Sequence, residues 1–366
     1  MDPLYTLDDN FYQKEIIDAY ASLVWTERYN DSGEFVLTVP IDSVSADYVK
    51  EGTFLGIEES KDVMLIDTVS QKEQKIQAVG KSLTDFLKQR ILRNTWSTAK
   101  DHWTITDIPG HVAGTIVSQM LGPGGSMDSG SVLVDGTNEI FPNLVVGPLA
   151  GGDSTKLAIP YGNVFDGVKI ACDEDDLGFR LYPELTTPGN YNLRFTTYAG
   201  LDRTSGQSVN PWVIFEAAMD SLTDIESLRS IAGYVTAAYA WASGISAQSQ
   251  IGSAFAPGTS ALTGFKRRTL MVDASDINAS DYSSSDLATI LDRRAKNALI
   301  NNNYVRFTDG QLVPQNAFVY GTDYNLGDII ELRGPNDEVQ SARVTEYIRA
   351  KDSSGETAYP TLSVID

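Results

Sequence analysis

In SLVWTERYNDSGEFVLTV, residues 22–39, Leu23, Trp25 and Tyr29 fall on one face of a first run, and Phe35, Leu37 and Val39 on one face of a second, with NDSG between them. A period of two on both sides of a turn-forming tetrapeptide predicts a β-hairpin. Short apolar runs follow in EGTFLGIEE, VMLIDTVSQ and KIQAVG, separated by Gly, Ser and Lys. That spacing is expected of a small antiparallel barrel or sandwich.

From Lys81 the period changes. Leu83, Phe86, Leu87 and Ile91 recur at three- and four-residue intervals in KSLTDFLKQRIL, which predicts a helix starting near Ser82 or Thr84, and DIPGHVAGTIVSQML predicts a second. Residues 122–154 are dense in Gly, Pro, Ser and Asp. They read as an extended loop or meander, and as the segment best suited to touching a neighbour. Between Tyr161 and Arg203 the pattern gives a helix, GNVFDGVKIACD, and two strands, GFRLYPE and YNLRFTTY, joined by TTPGN.

Strand patterns resume in WVIFEAA and in GYVTAAYAWA, where Val235, Ala237, Tyr239 and Trp241 share a face. One helix interrupts them: SSSDLATILDRRAKNALINNN, capped by Ser284 or Ser285, with Leu287, Ile290, Leu291, Ala298 and Leu299 as its apolar stripe. From Tyr304 the chain returns to strands.

With 366 residues, two or more packed units are expected, and 42% hydrophobic against 21% charged residues is a globular composition. The longest weakly polar stretch, Ile231 to Ala247, is interrupted by Gly233, Thr236, Ser243, Gly244 and Ser246, so no transmembrane helix is expected. The segment MDPLYTLDDNFYQKE has acids where a secretory signal has bases, so a cleaved signal is not expected. The single cysteine, Cys172, excludes an internal disulfide. A net charge of −21 argues against sequence-independent binding to nucleic acid, which needs clustered Lys and Arg.

Candidate chemistry is sparse. GKSL at Gly80–Leu83 lacks the leading glycine of a phosphate-binding loop, having Lys75 in that place, and GPGG at Gly122–Gly125 lacks a strand-to-helix context. His102 and His111, without partner cysteines or an HExxH motif, predict no zinc site. The run Asp173–Asp176 reads as a solvated face rather than a calcium site. In YGTDYNLGDIIEL, Gly327 and Asp328 occupy positions five and six of an EF-hand loop in the wrong order. There Asp323 and Asn325 shape a turn, Gly327 gives backbone freedom, and Ile329, Ile330 and Leu332 begin a strand. No nucleophile elbow or triad motif is present, so no catalytic, cofactor-binding or metal residue is assigned.

Four pieces in order carry a family resemblance: VWTERYNDSGEFVLTVP with EGTFLGIEES; VGKSLTDFLKQRIL; GFRLYPE with YAGLDRTSGQSVNPWVIFE; and YGTDYNLGDIIEL with ARVTEYIRAKDSSGETAYPTL. Together they resemble the tail-tip hub proteins of long-tailed siphoviruses, especially of actinobacterial phages, which are similar to the baseplate hub of contractile tails. The resemblance implies a mainly β chain with two antiparallel β-barrel tube-lining domains and smaller α+β insertions. Its expected divisions are 1–80 (first barrel), 81–154 (helical and Gly/Ser-rich insertion), 155–205 (small α+β insertion) and 206–366 (second barrel, with a helix inserted at 284–302). It further implies a non-enzymatic virion protein assembled in the host cytoplasm as a homotrimer. Its implied partners are the distal tail protein ring, the tape measure protein and a central fibre or other tip proteins, with DNA passing without specific binding and no membrane insertion. Two rivals remain, a cell-wall hydrolase working through a carboxylate pair and a receptor- or carbohydrate-binding β protein using exposed aromatics.

Overall fold

A computed structural model describes residues 3–95, 102–130, 132–187, 190–216, 222–244, 251–300, 302, 305–312, 318–333 and 339–365. The ends of the expected strand WVIFEAA and of the helix ending NALINNN lie outside these, as does the turn at Pro188 and Gly189.

The predicted hairpin forms as Ser22–Arg28 and Glu34–Pro40, with Trp25 opposite Phe35. Leu23, Trp25, Phe35, Leu37 and Val39 are all buried, so the alternation points them into one core with Leu55, Met64, Ile66 and Ala78. The hairpin lies inside an eleven-stranded sheet. Along one direction it continues through Lys75–Ser82, Met64–Lys72, Phe54–Ile57, Leu4–Leu7 and Gln13–Ile17. Along the other it continues through Val339–Asp352 and Ile329–Arg333 to Ile214–Glu216, and Gly355–Ile365 pairs with Val339–Asp352 off this path.

Strands from both ends of the chain therefore share one sheet, because Val339–Asp352 pairs antiparallel with Ser22–Arg28, setting Arg349 opposite Trp25. Segments 1–80 and 206–366 meet there, and no closed barrel is present among the described residues. Register shifts at Tyr5/Leu7, Ile66/Thr68 and Val344/Glu346 bend the sheet as bulges do.

The middle of the chain builds an α+β unit. Helix α1 (Pro109–Leu121) and helix α2 (Val164–Asp173, capped by the Asn163 side chain) form on the predicted stretches. They pack with the pairs Gly178–Thr187/Asn190–Tyr198 and His102–Asp107/Thr155–Pro160 around one core containing Val112, Ile116, Val168, Phe179 and Phe195. Segments 81–154 and 155–205 share that core. The stretch read as a helix from Lys81 is instead a 3-10 turn, Leu83–Gln89, followed by the two-residue strand Ile91–Leu92. This winding buries Leu83, Thr84 and Leu87.

The described part of residues 122–154 is mostly turns and loops, as expected, and some of it packs on the α+β unit. Met127 and Val132 join the α+β core, and Gly125 and Gly136 lie so close to the carbonyls of Gln119 and Met127 that a Cβ would come within 2.4 Å and 2.3 Å. Leu144–Val146 adds a parallel strand beside Asn190–Tyr198.

A third unit consists of helix α3 (Ser284–Ile300) over the sheet formed by Gly252–Phe255, Ala237–Ser243 and Thr269–Asn278. Ser283, one residue before the expected cap, accepts from the amide of Asp286 at 3.2 Å. The inward face of the central strand is Ala238, Ala240 and Ala242, small enough for α3 to lie close with Leu287, Ile290 and Leu291.

Candidate functional site

The position after Leu23 and Trp25 on the core-facing side of the first strand is Glu27, and it is only 2% exposed. A carboxylate there needs cations and donors, since an unpaired buried charge is costly. Arg349 comes from the adjacent strand and its guanidinium pairs with Glu27 Oε1. Arg180, from the α+β unit, lies 3.4 Å from Glu27 Oε2, and the Tyr320 hydroxyl donates to the same oxygen at 3.3 Å. Asp62, in the loop before Met64, sits 3.0 Å from Arg180 Nε, as an ion pair off the line of a hydrogen bond.

This cluster holds two buried carboxylates and two guanidiniums drawn from four separate segments. Burial pushes the Asp62 carboxyl up to about 6, against the pull of Arg180 and with the help of Glu27. Burial opposes the charge on Arg180, yet Asp62, Tyr198 and Glu27 outweigh it and hold its pKa above the ordinary arginine value. Burial, and then the negative charge of Glu27, raise the Tyr320 phenol.

Above the cluster opens a cleft of about 480 Å³ lined by Glu59, Phe318, Tyr320, Tyr347, Arg349 and Glu356. Tyr320 and Tyr347 stack with centroids 3.7 Å apart and planes at 9°. The Arg349 guanidinium lies 4.7 Å from the Tyr347 centroid and 5.4 Å from that of Tyr320, and its Nε reaches Glu59 at 3.3 Å. Glu356 is bonded to Lys351 at 2.7 Å, and that bond lowers its pKa. A general acid at neutral pH needs the opposite shift, which Asp62 shows, but Asp62 lies against Arg180 and does not line the cleft. The arrangement is one of mutually neutralised charges, suited to fixing segments to one another.

A second polar centre forms where the sequence placed a turn. Asp323 accepts from the Val319 amide at 2.7 Å, as its role in the turn requires. The central residue is Asp328, 3% exposed, which accepts from the amides of Leu201 (2.7 Å) and Asn325 (3.0 Å) and pairs with Arg203 at 2.6 Å. The sequence reading missed this pairing. An acid at the start of an apolar strand and an arginine in YAGLDRTSG were its only signals. Gly327 has φ +88°, and a Cβ there would come within 2.2 Å of the Tyr29 ring, so glycine is required on both counts.

The acidic run Asp173–Asp176 is solvated only in part, Asp176 being exposed, and its members also contact other segments. Asp173 bonds Lys169 and Asn30, Glu174 pairs with Arg293 of α3 at 2.7 Å, Asp175 accepts from the Gly152 amide, and Asp176 faces Arg343 at 3.5 Å. His102 is buried and stacks on Tyr282, whereas His111 lies beside Asp107 at 3.5 Å. No group of three potential metal ligands occurs among the described residues. Gly80 of the GKSL stretch lies within a strand, where a Cβ would meet the Leu65 carbonyl oxygen at 1.7 Å. Strand packing thus accounts for that glycine without a phosphate.

The whole architecture recurs among phage tail proteins. The 43 kDa tail protein of prophage MuSo2 from Shewanella oneidensis superposes with a TM-score of 0.58 at 12% identity, covering 99% of this chain and 97% of that one. Prophage tail protein gp18 from Listeria monocytogenes gives 0.54 at 9% identity, over 100% and 95% of the two chains. A tail protein from Neisseria meningitidis gives 0.54 at 10%, over 100% and 96%. No curated protein is significantly similar in sequence. The fold is that of a phage tail protein. Within that class, the chain belongs to the family of Siphovirus ReqiPepy6 Gp37-like proteins, which matches residues 3–362.

Proposed function

We propose that this chain is the hub at the distal end of a non-contractile tail, present as a trimer around the tail axis. In that place it joins the distal tail ring to the central fibre or tip and forms a gated conduit for the tape measure protein and DNA. The observation that carries the reading is the family match across residues 3–362, joined to a fold shared over nearly the full length with prophage tail proteins.

The physical design supports a mechanical role. Charges at the buried centre are paired with each other, which fixes the C-terminal hairpin, the first hairpin and the α+β unit together. The two tube-lining barrels belong to this proposal. Open edges such as Gln13–Ile17 and Ile214–Glu216 would be covered by neighbours in a ring, as exposed edges generally must be. A lumen made from a chain of net charge −21 would repel phosphates and let DNA slide.

Imaging of the intact particle tests the reading. Three copies on the tail axis are expected, and six copies or a peripheral position would overturn it. Incubation with peptidoglycan separates out the hydrolase: soluble fragments would replace the mechanical role with an enzymatic one.

A further inference from the structure

The three-stranded sheet under α3 has two unlike faces. One is the alanine face already described. The pairing of Ala237 with Phe255, Tyr239 with Met271 and Trp241 with Asp273 puts Phe255, Tyr239, Met271, Trp241 and Asp273 on the other. Tyr239 lies edge-on to Phe255 and Trp241, at 6.2 Å and 6.3 Å between centroids. Phe255 is 41% exposed and Met271 68%.

The segment GFKRRT runs beside this face. Phe265 is fully exposed, and Arg267 stacks 4.8 Å from the Phe255 centroid while donating to the Tyr239 hydroxyl at 2.9 Å and the Ser260 carbonyl at 3.1 Å. Among the described residues, no carboxylate lies within ion-pair distance of Lys266, Arg267 or Arg268, whereas Arg28, Arg180, Arg203, Arg293, Arg294 and Arg349 all have one. On a chain with 49 acids and 28 bases this is a local inversion of sign.

We propose that this face docks on a carboxylate-rich surface of a second copy of the chain; the proposal rests on the reading above that copies meet around a common axis. The composition is that of an interface centre, where Tyr, Trp, Phe, Met and Arg concentrate. Charge complementarity selects the occupant. Each copy carries the carboxylate surplus that Lys266 and Arg267, which have no carboxylate within ion-pair distance, attract. Two cations fall short of the roughly four to eight that mark binding to anionic lipid, and of the clustered Lys and Arg that a phosphate backbone needs.

Sedimentation velocity of the full chain at about 50 mM and about 500 mM salt, conditions that differ severalfold in screening, tests this. The substitutions are Lys266→Glu and Phe265→Ala, both at exposed side chains, with thermal unfolding measured to confirm an intact fold. Wild-type chains are expected to associate more weakly at high salt. Lys266→Glu should weaken association at least tenfold at low salt, and Phe265→Ala severalfold at both. Association equal to wild type in both variants, a wild type that stays monomeric, or preferential binding to phosphatidylserine vesicles would overturn the proposal. A trimer insensitive to both substitutions would remove this face and leave the hub standing. A copy number other than three, with the substitutions still acting, would remove the hub and keep the face.

Discussion

At the scale of single residues, the determining features are charges placed where the pattern expects apolar side chains. Glu27 occupies a core position of an alternating strand, and Arg349 meets it from a strand more than 300 positions later in the chain. Removing one partner of such a pair leaves a buried charge without compensation, at a cost of about 3–5 kcal/mol. Arg349→Met is therefore expected to lower unfolding free energy by about that amount, whereas Glu27→Gln combined with Arg349→Met should recover part of the loss; urea denaturation of wild type and the two variants checks both. Asp62 gives a pH signature of definite sign. Its folded pKa of about 6 exceeds its ordinary 3.8, so the folded chain holds the proton more tightly. The stabilisation is complete below about pH 4 and is lost as pH rises through about 6. Other carboxylates such as Asp85 and Glu331 are shifted downwards and slope the opposite way, so the difference between variants is the quantity to measure. The stability of wild type relative to Asp62→Asn should fall between pH 4 and pH 6.5 and then level; a difference independent of pH would contradict it.

At the scale of elements, the first hairpin, both central helices and α3 were legible because each buries a face at its own period. The stretch from Lys81 was not. The three-residue spacing of Leu83 and Phe86 also suits a 3-10 turn, which the chain leaves for the strand Ile91–Leu92, paired with Gly162–Asn163. The strand Ala237–Ser243 was legible as a strand, but its aromatic side was the more conspicuous one in sequence, and the helix covers the alanines instead. Of the polar centres little could be read, because Glu27, Asp62, Arg180 and Arg349 are scattered over the chain and only tertiary pairing assembles them. Close approach makes one position in α3's sheet critical. A Cβ on Gly252 would come within 2.2 Å of the Leu291 backbone, which cannot move without shifting α3. Gly252→Ala is expected to cost about 1–3 kcal/mol, as overpacking does. Amide exchange should quicken in α3 and remain unchanged in Ser22–Pro40.

At the scale of the molecule, the three units are joined in different ways. The main sheet and the α+β unit share buried charge, with Arg180 reaching the buried carboxylates of Glu27 and Asp62. The α3 unit docks on the α+β unit chiefly by polar contacts: Lys156 to Asp286 at 2.6 Å, Arg293 to Glu174 at 2.7 Å and His102 stacked on Tyr282, with Ala158 adding a small apolar contact. Ion pairs at half-exposed positions contribute little each, so this joint should open at lower free energy than the main sheet does. Arg293→Glu would set a second carboxylate face to face with that of Glu174, whose side chain is 10% exposed. Exchange across the interface residues of α3 and of Thr155–Pro160 should then accelerate about tenfold while the first hairpin keeps its protection. Adding Glu174→Arg to the same chain restores opposite charges across the joint, so protection should return. If the reversed pair exchanged as fast as Arg293→Glu alone, the joint would depend on packing around Ala158 and Tyr282 rather than on charge, and the units would separate only with wider unfolding.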